Sequence, residues 1–274
     1  MKITNNIISV ETTLLGGELT SITFDGKEVL YQMEGSWKFQ DHVLFPLIGP
    51  ADNYACHGEI HSTTRHGFVR NYNMVETKNS ESKMTLSLTD NEEIFKVYPY
   101  HFTFKEIISL NKNEMTRRYE VSNNGTEILP FEIGGHPAFY CDYSKARIVM
   151  PDSFSYLPEP CDEKTLIKHP QGGEIKLNKK DFFQGLDCII IPNPGTPIIL
   201  YNGRGEKIEF HYAAPYITLW TPKTEEDCFL CVEPYWGLPK TINDPNELID
   251  RPLYTKLEPG KVAVFEDKLI ISKE

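Results

Sequence analysis

No apolar run in this 274-residue chain approaches the ~20 residues that span a bilayer as a helix. The opening MKITNNIISVETT also lacks the continuous apolar stretch of a secretory signal. Basic residues are in deficit, 28 Lys+Arg against 39 Asp+Glu for a net charge of −11, and this opposes nucleic-acid binding, which depends on neutralising phosphates. The 6 cysteines are too sparse and irregular for a disulfide framework. Without a signal they read as reduced thiols, and a cytoplasmic location is expected. Helical periodicity is scarce, and only 178–186 and 244–250 suit a turn or two of helix. The nucleophile elbow GxSxG, the phosphate loop GxxxxGK, the dinucleotide loop GxGxxG and the zinc motif HExxH are all missing. No cofactor and no metal is therefore expected, and any chemistry falls to side chains.

What the chain does have is β-structure. Alternating runs surround Asp25-Gly26 within 19–31, a strong hairpin signal. Further β-type runs occupy 68–76, 84–89, 101–110, 115–122, 146–150, 188–192, 197–201, 207–212, 216–221, 228–233 and 262–272. A second hairpin is expected through Asn111-Lys112-Asn113-Glu114. Turn residues punctuate the runs about every ten positions, a rhythm that suits a sandwich or barrel rather than βαβ units. With no repeat or linker-like shift in composition, one large all-β domain over 1–274 is expected, with very little helix.

Several clusters invite a chemical reading. His57, His61 and His66 crowd ACHGEIHSTTRHGF, but their spacing is not that of a helical ligand pair, and exposed loop histidines are the simpler reading. Cys228 and Cys231 form a lone CxxC on a strand-like run, where residues three apart point to opposite faces. They cannot share one ion, and core packing is expected of both. More informative are Thr64-Arg65-His66-Gly67-Phe68-Val69-Arg70, Phe131-Glu132-Ile133-Gly134-Gly135-His136-Pro137-Ala138-Phe139 and Cys231-Val232-Glu233-Pro234-Tyr235-Trp236-Gly237. Each places an ionisable residue where a strand gives way to Gly or Pro, the position from which loops present functional groups. Singly, each histidine is more simply structural and Glu233 a surface carboxylate. Together they offer two imidazoles, a carboxylate and adjacent aromatics.

At these residues the sequence resembles the aldose 1-epimerase (galactose mutarotase) family, most closely its LacX-like branch. Leu44-Phe45-Pro46, His66-Gly67-Phe68, Asp90-Asn91-Glu92-Glu93, Tyr98-Pro99, Gly134-Gly135-His136-Pro137-Ala138-Phe139 and Glu233-Pro234 fall in the family's order. The resemblance implies a large antiparallel β-supersandwich with an open sugar cleft on one face. It also implies His136 as general acid, Glu233 as general base, and His66, Asp187 and Trp220 as sugar-binding residues. Phe139 and Trp236 offer further apolar surface for the sugar's C–H faces. A protonated histidine near neutral pH suits donation to a ring oxygen, and partial desolvation is expected to make Glu233 more basic. One departure stands out: the branch usually has a Gly-Arg pair after the Leu-Phe-Pro segment, whereas here Gly49 is followed by Pro50. Arg65, directly before His66, is the expected substitute.

The activity implied is interconversion of the α and β anomers of a free hexose, glucose- or galactose-like, by a monomer or homodimer. A non-catalytic carbohydrate-binding protein on the same fold is the alternative from another class, though binding alone needs no acid and base. Epimerisation of a hexose 6-phosphate is the third reading. It requires a cationic pocket, for which Arg65 and Arg70 are available.

Overall fold

Strict alternation of buried and half-buried residues runs along the ten-residue strands Phe102–Asn111 and Glu114–Asn123, which pair as a hairpin from Phe102↔Asn123 to Asn111↔Glu114. In this computed structural model, which describes residues 1–151, 153–158, 166–169, 172–183, 185–186, 188–241 and 243–274, the hairpin lies within a nine-stranded antiparallel sheet. The sheet order is Gly173–Lys176, Arg147–Met150, Ile198–Tyr201, Glu206–Tyr212, Val262–Lys273, Glu114–Asn123, Phe102–Asn111, Lys83–Thr89 and Val75–Ser80.

A second, eight-stranded sheet follows the order Ile167–His169, Phe154–Pro158, Cys188–Pro192, Tyr216–Trp220, Phe229–Trp236, Ile133–Gly135 and Val43–Leu44. Its eighth strand, Ala138–Tyr140, also pairs with Phe229–Trp236. Side chains alternate between the two faces of a strand. One face presents Ile189, Ile191, Ile217, Leu219, Leu230 and Val232, which join one apolar cluster with Ile148, Ile198, Leu200, Ile208 and Phe210 of the nine-stranded sheet. Each fully buried aliphatic side chain contributes roughly 1.5–3 kcal/mol. A slip of one residue would exchange the faces and drive Glu233 into that core, so burial fixes the register. The opposite face carries the cleft described below.

A four-stranded N-terminal sheet begins at Lys2–Thr4 and ends in the hairpin Leu19–Phe24 to Lys27–Glu28, which turns at Asp25-Gly26. The antiparallel, strand-dominated architecture agrees with the sequence reading, while local differences have identifiable causes. Within 68–76 the chain forms a 3-10 turn, Val69–Asn71, and extends only from Val75. His66 and Gly67 both have positive φ (68° and 83°), which bends the chain away from extended geometry just upstream. A short helix, Glu92–Val97, stands where no helix is expected. Asn91 caps it by accepting from the N–H groups of Glu93 and Ile94, both at 3.0 Å. Six residues that bury only Ile94 leave no periodic stripe to detect. The two suspected helical stretches reduce to 3-10 turns at Lys179–Asp181 and Leu248–Asp250.

No disulfide joins the described cysteines Cys56, Cys141, Cys188, Cys228 and Cys231, and Cys161 lies outside the described residues. Cys231 is buried, but Cys228 is exposed just before the strand Phe229–Trp236, so core packing accounts for only one of the pair. No helix among the described residues is long and apolar enough to cross a membrane.

Candidate active site

Cross-strand register builds the cleft floor. Trp220 pairs with Cys188 on one side and Cys231 on the other, while Thr218 sits between Ile190 and Glu233, and Tyr216 between Pro192 and Tyr235. Residues directly opposite in an antiparallel sheet share a face, as do residues two apart. These three rows therefore form one surface, opposite the sandwich core. Above it opens a cleft of about 390 Å³, within the ~300–1,000 Å³ common for small-molecule sites. Trp37, Phe39, His42, Arg65, His66 and Arg70 wall it, and His136 and Glu233 line it from below.

His136 enters from the turn after Ile133–Gly135. A Cβ on Gly134 would lie 2.7 Å from the Pro234 carbonyl oxygen, so only glycine allows this close approach to the strand carrying Glu233. The His136 backbone N–H donates to Asp41 Oδ1 at 3.1 Å. Asp41 Oδ2 pairs with Arg117 Nη2 at 2.7 Å, and Arg117 Nε donates to Glu106 Oε1 at 2.6 Å. Both carboxylates are fully buried, so an ionic brace between the sheets holds the backbone of His136. The His136 ring stacks on Trp37 (centroids 5.6 Å apart, 26° between planes) and meets Trp220 edge-on at 5.7 Å.

His136 Nε2 lies 3.4 Å from Glu233 Oε2, and Tyr235 donates its hydroxyl to the same oxygen at 2.7 Å. Burial pushes the His136 pKa down to about 4. Asp41 opposes this shift, and the guanidinium groups of Arg65 and Arg70 add to it. The ring is thus neutral at pH 7, contrary to the expectation of a protonated histidine.

The opposite wall is built by backbone. His66 N–H donates to the Gly49 carbonyl at 2.8 Å, and Gly49 N–H donates to His66 Nδ1 at 3.1 Å. Gly67 bridges to Phe45 in parallel, and a Cβ there would lie 2.0 Å from the Phe45 carbonyl oxygen. The motif His-Gly-Phe is thereby locked against Leu44-Phe45-Pro46. Arg65 Nε lies 3.3 Å from His66 Nε2, at the rim of the cleft. Arg70 Nη1 lies 3.3 Å from His42 Nε2, and its guanidinium sits 5.5 Å from the Phe39 ring. Burial and neighbouring positive charge hold both His42 and His66 well below the usual histidine range.

The structure thus gathers His136, Glu233, His66, Arg65 and Trp220 around one cleft. Asp187 lies outside the described residues. Two expected sugar-facing aromatics point elsewhere: Phe139 packs on Phe210 at 5.1 Å in the sandwich core, and Trp236 packs on Phe265 at 5.3 Å. Strand parity is the reason, since Trp236 alternates with Tyr235 and Glu233. His57 contacts Glu127 at 2.8 Å and His61 Nδ1 the Lys96 carbonyl at 3.1 Å, so neither joins His66. Sequence reasoning missed Trp37, Phe39, His42 and Thr218. His42 directly precedes the quoted Leu-Phe-Pro segment, and aromatics in a loop such as Trp37 and Phe39 were the available signal.

A family model described as Aldose 1-epimerase matches residues 1–267. Protein LacX of Lactococcus lactis subsp. lactis is 28% identical over 285 residues, covering 94% of this chain and 95% of that protein. Among solved structures, a galactose mutarotase related enzyme from Lactobacillus acidophilus superposes with a TM-score of 0.92 at 25% identity, covering 99% of this chain and 97% of the other. A galactose mutarotase-like protein from Lactobacillus casei ATCC 334 gives 0.90 at 23% identity, covering 99% of both chains, a likeness of fold.

Proposed function

The chain belongs to the aldose 1-epimerase family, and on that premise we propose that it interconverts the α and β anomers of a free hexose. The observation that carries this reading is the 3.4 Å approach of the His136 imidazole to the Glu233 carboxylate, both buried at the floor of a sugar-sized cleft. Anomer exchange moves a proton from the C1 hydroxyl and delivers one to the ring oxygen. Glu233 takes the first, its carboxylate oriented by the Tyr235 hydroxyl. His136 donates the second and thus must be charged when it acts. The adjacent Glu233 carboxylate favours that charge as sugar replaces water around the pair. The ring then opens, the C1–C2 bond turns, and the reverse transfers close it on the other face of the carbonyl. One acid and one base, each worth typically 10²–10⁴-fold, suffice without a cofactor. His66 and Arg65 are suited to sugar hydroxyls, and Trp220 with Trp37 to the C–H faces of the ring.

A second reading, a hexose 6-phosphate as substrate, draws on one specific observation. Arg65 and Arg70 both line the cleft, against Glu233 as the one acidic side chain lining it among the described residues. Polarimetry of freshly dissolved α-D-glucose, α-D-galactose and α-D-glucose 6-phosphate tests both readings. Acceleration with a free sugar supports the first, acceleration with the phosphate alone supports the second, and none with any sugar refutes the mutarotase assignment.

A further inference from the structure

Cys231 takes no part in the proposed proton transfers, yet it lies two residues before Glu233 on the same strand and shares its face. A ring nitrogen of His136, the Cys231 sulfur and a Glu233 carboxylate oxygen all lie within 4.8 Å of one another, and all three residues are buried. We propose that these three side chains form a binding site for a borderline-soft divalent cation, zinc by preference, which blocks the cleft.

The donor set is one imidazole, one thiolate and one carboxylate, each a favoured zinc ligand. A tetrahedral ion with bonds of ~2.0–2.1 Å to nitrogen and oxygen spaces those donors roughly 3.3 Å apart. The 3.4 Å between His136 Nε2 and Glu233 Oε2 already has that length. Sulfur, with a bond of ~2.3 Å, closes the third corner at roughly 3.6 Å from each of the other donors, inside the 4.8 Å within which all three lie. Three protein donors leave one position open toward the cleft, the arrangement of an accessible rather than a closed zinc site. A second observation points to the same place: the buried Oγ1 of Thr218 has no hydrogen-bond partner. Thr218 stands directly opposite Glu233, where its hydroxyl can support the ligating carboxylate.

Binding forms a metal–thiolate bond and releases the Cys231 proton to solvent, so each ion taken up liberates one proton and oxidises nothing. The ion occupies the groups assigned as acid and base, so it acts as an inhibitor and not as a cofactor. This site is defined by donor geometry and does not depend on sugar turnover.

The test is titration of the full chain with zinc chloride against a chromophoric chelator, without sugar, alongside Cys231→Ser, Cys231→Ala and His57→Gln. One ion per chain is expected, with affinity at least ~10-fold lower in both Cys231 variants, a loss that even an outer-shell partner can produce. His57→Gln, which removes a surface imidazole, is expected to bind as the parent does. Cadmium chloride should give a thiolate charge-transfer band in the parent that both Cys231 variants lack, and thermal melts establish that the variants are folded. Zinc binding of equal strength in folded Cys231→Ser, loss of binding in His57→Gln, or no zinc bound by the parent would each overturn the proposal.

Discussion

The hydroxyl of Tyr235 donates to Glu233 Oε2 at 2.7 Å from two residues along the same strand. That geometry gives the first prediction. A hydrogen bond to a charged group is worth about 1.5–3 kcal/mol, so Tyr235→Phe should lower kcat roughly 10-fold or more with little change in KM. It should also move the carboxylate limb of the pH–rate profile to higher pH, because the ionised form loses its donor. An unshifted limb with unchanged kcat would show that the hydroxyl does not act on the base.

His136 supplies the second. Burial holds it at about 4, below the usual histidine value of ~6.5, so the imidazole should titrate near pH 4 in proton NMR of the free protein. Since the donor must be protonated, kcat/KM should rise as pH falls from 7 toward 5, until protonation of Glu233 removes the base. An imidazole that titrates near 6.5 in the free protein contradicts this account.

The brace beneath the site supplies the third. Arg117→Met leaves Asp41 and Glu106 buried without their cation. Breaking such a pair costs about 3–5 kcal/mol, equivalent to a fall in Tm on the order of 10 °C for a chain of this size. Glu106→Gln behaves differently. Burial raises the Glu106 pKa to about 7, Arg117 opposing, so its folded-state pKa lies above the unfolded value. The contribution of this carboxyl is fully present below about pH 4.5 and is lost as pH rises through 7. Urea melts should show Glu106→Gln gaining on the parent by up to about 3 kcal/mol between pH 5 and pH 8. A pH-independent difference would mean that Glu106 does not titrate in this range.

Arg65 supplies the fourth. If it provides the cationic hydrogen bonding that a residue after Gly49 does not, Arg65→Ala should raise KM about 10-fold, with kcat changed less, in keeping with a lost charged hydrogen bond. Unchanged affinity for the accepted sugar would remove Arg65 from the site.

The strands are legible because alternation is a local property. Phe102–Asn111 and Glu114–Asn123 carry it along their whole lengths, and the register of Tyr216–Trp220 against Phe229–Trp236 follows from burying Leu219 and Val232. Parity then shows which side chains share the cleft, and the same rule moves Trp236 and Phe139 out of it. The wall formed by Trp37, Phe39 and His42 is less legible. It lies on a segment without strand or helix period, and a distant residue, Asp227, holds it. Asp227 accepts from the Tyr31 hydroxyl at 2.8 Å, the Trp37 N–H at 3.3 Å and the Ser36 hydroxyl. No local pattern encodes a contact across 190 positions. Net charge misleads for a related reason. A chain of −11 carries two guanidinium groups and one described carboxylate along its cleft.

The central claim is that His136 and Glu233 act as acid and base on one sugar. Magnetisation exchange in proton NMR measures anomer interconversion at equilibrium, in parent, His136→Asn and Glu233→Gln proteins at equal concentration and confirmed fold. Both substitutions should slow the catalysed exchange at least ~10²-fold, the lower end for a lost acid or base. A parent that accelerates exchange while either variant retains its rate would contradict the assignment.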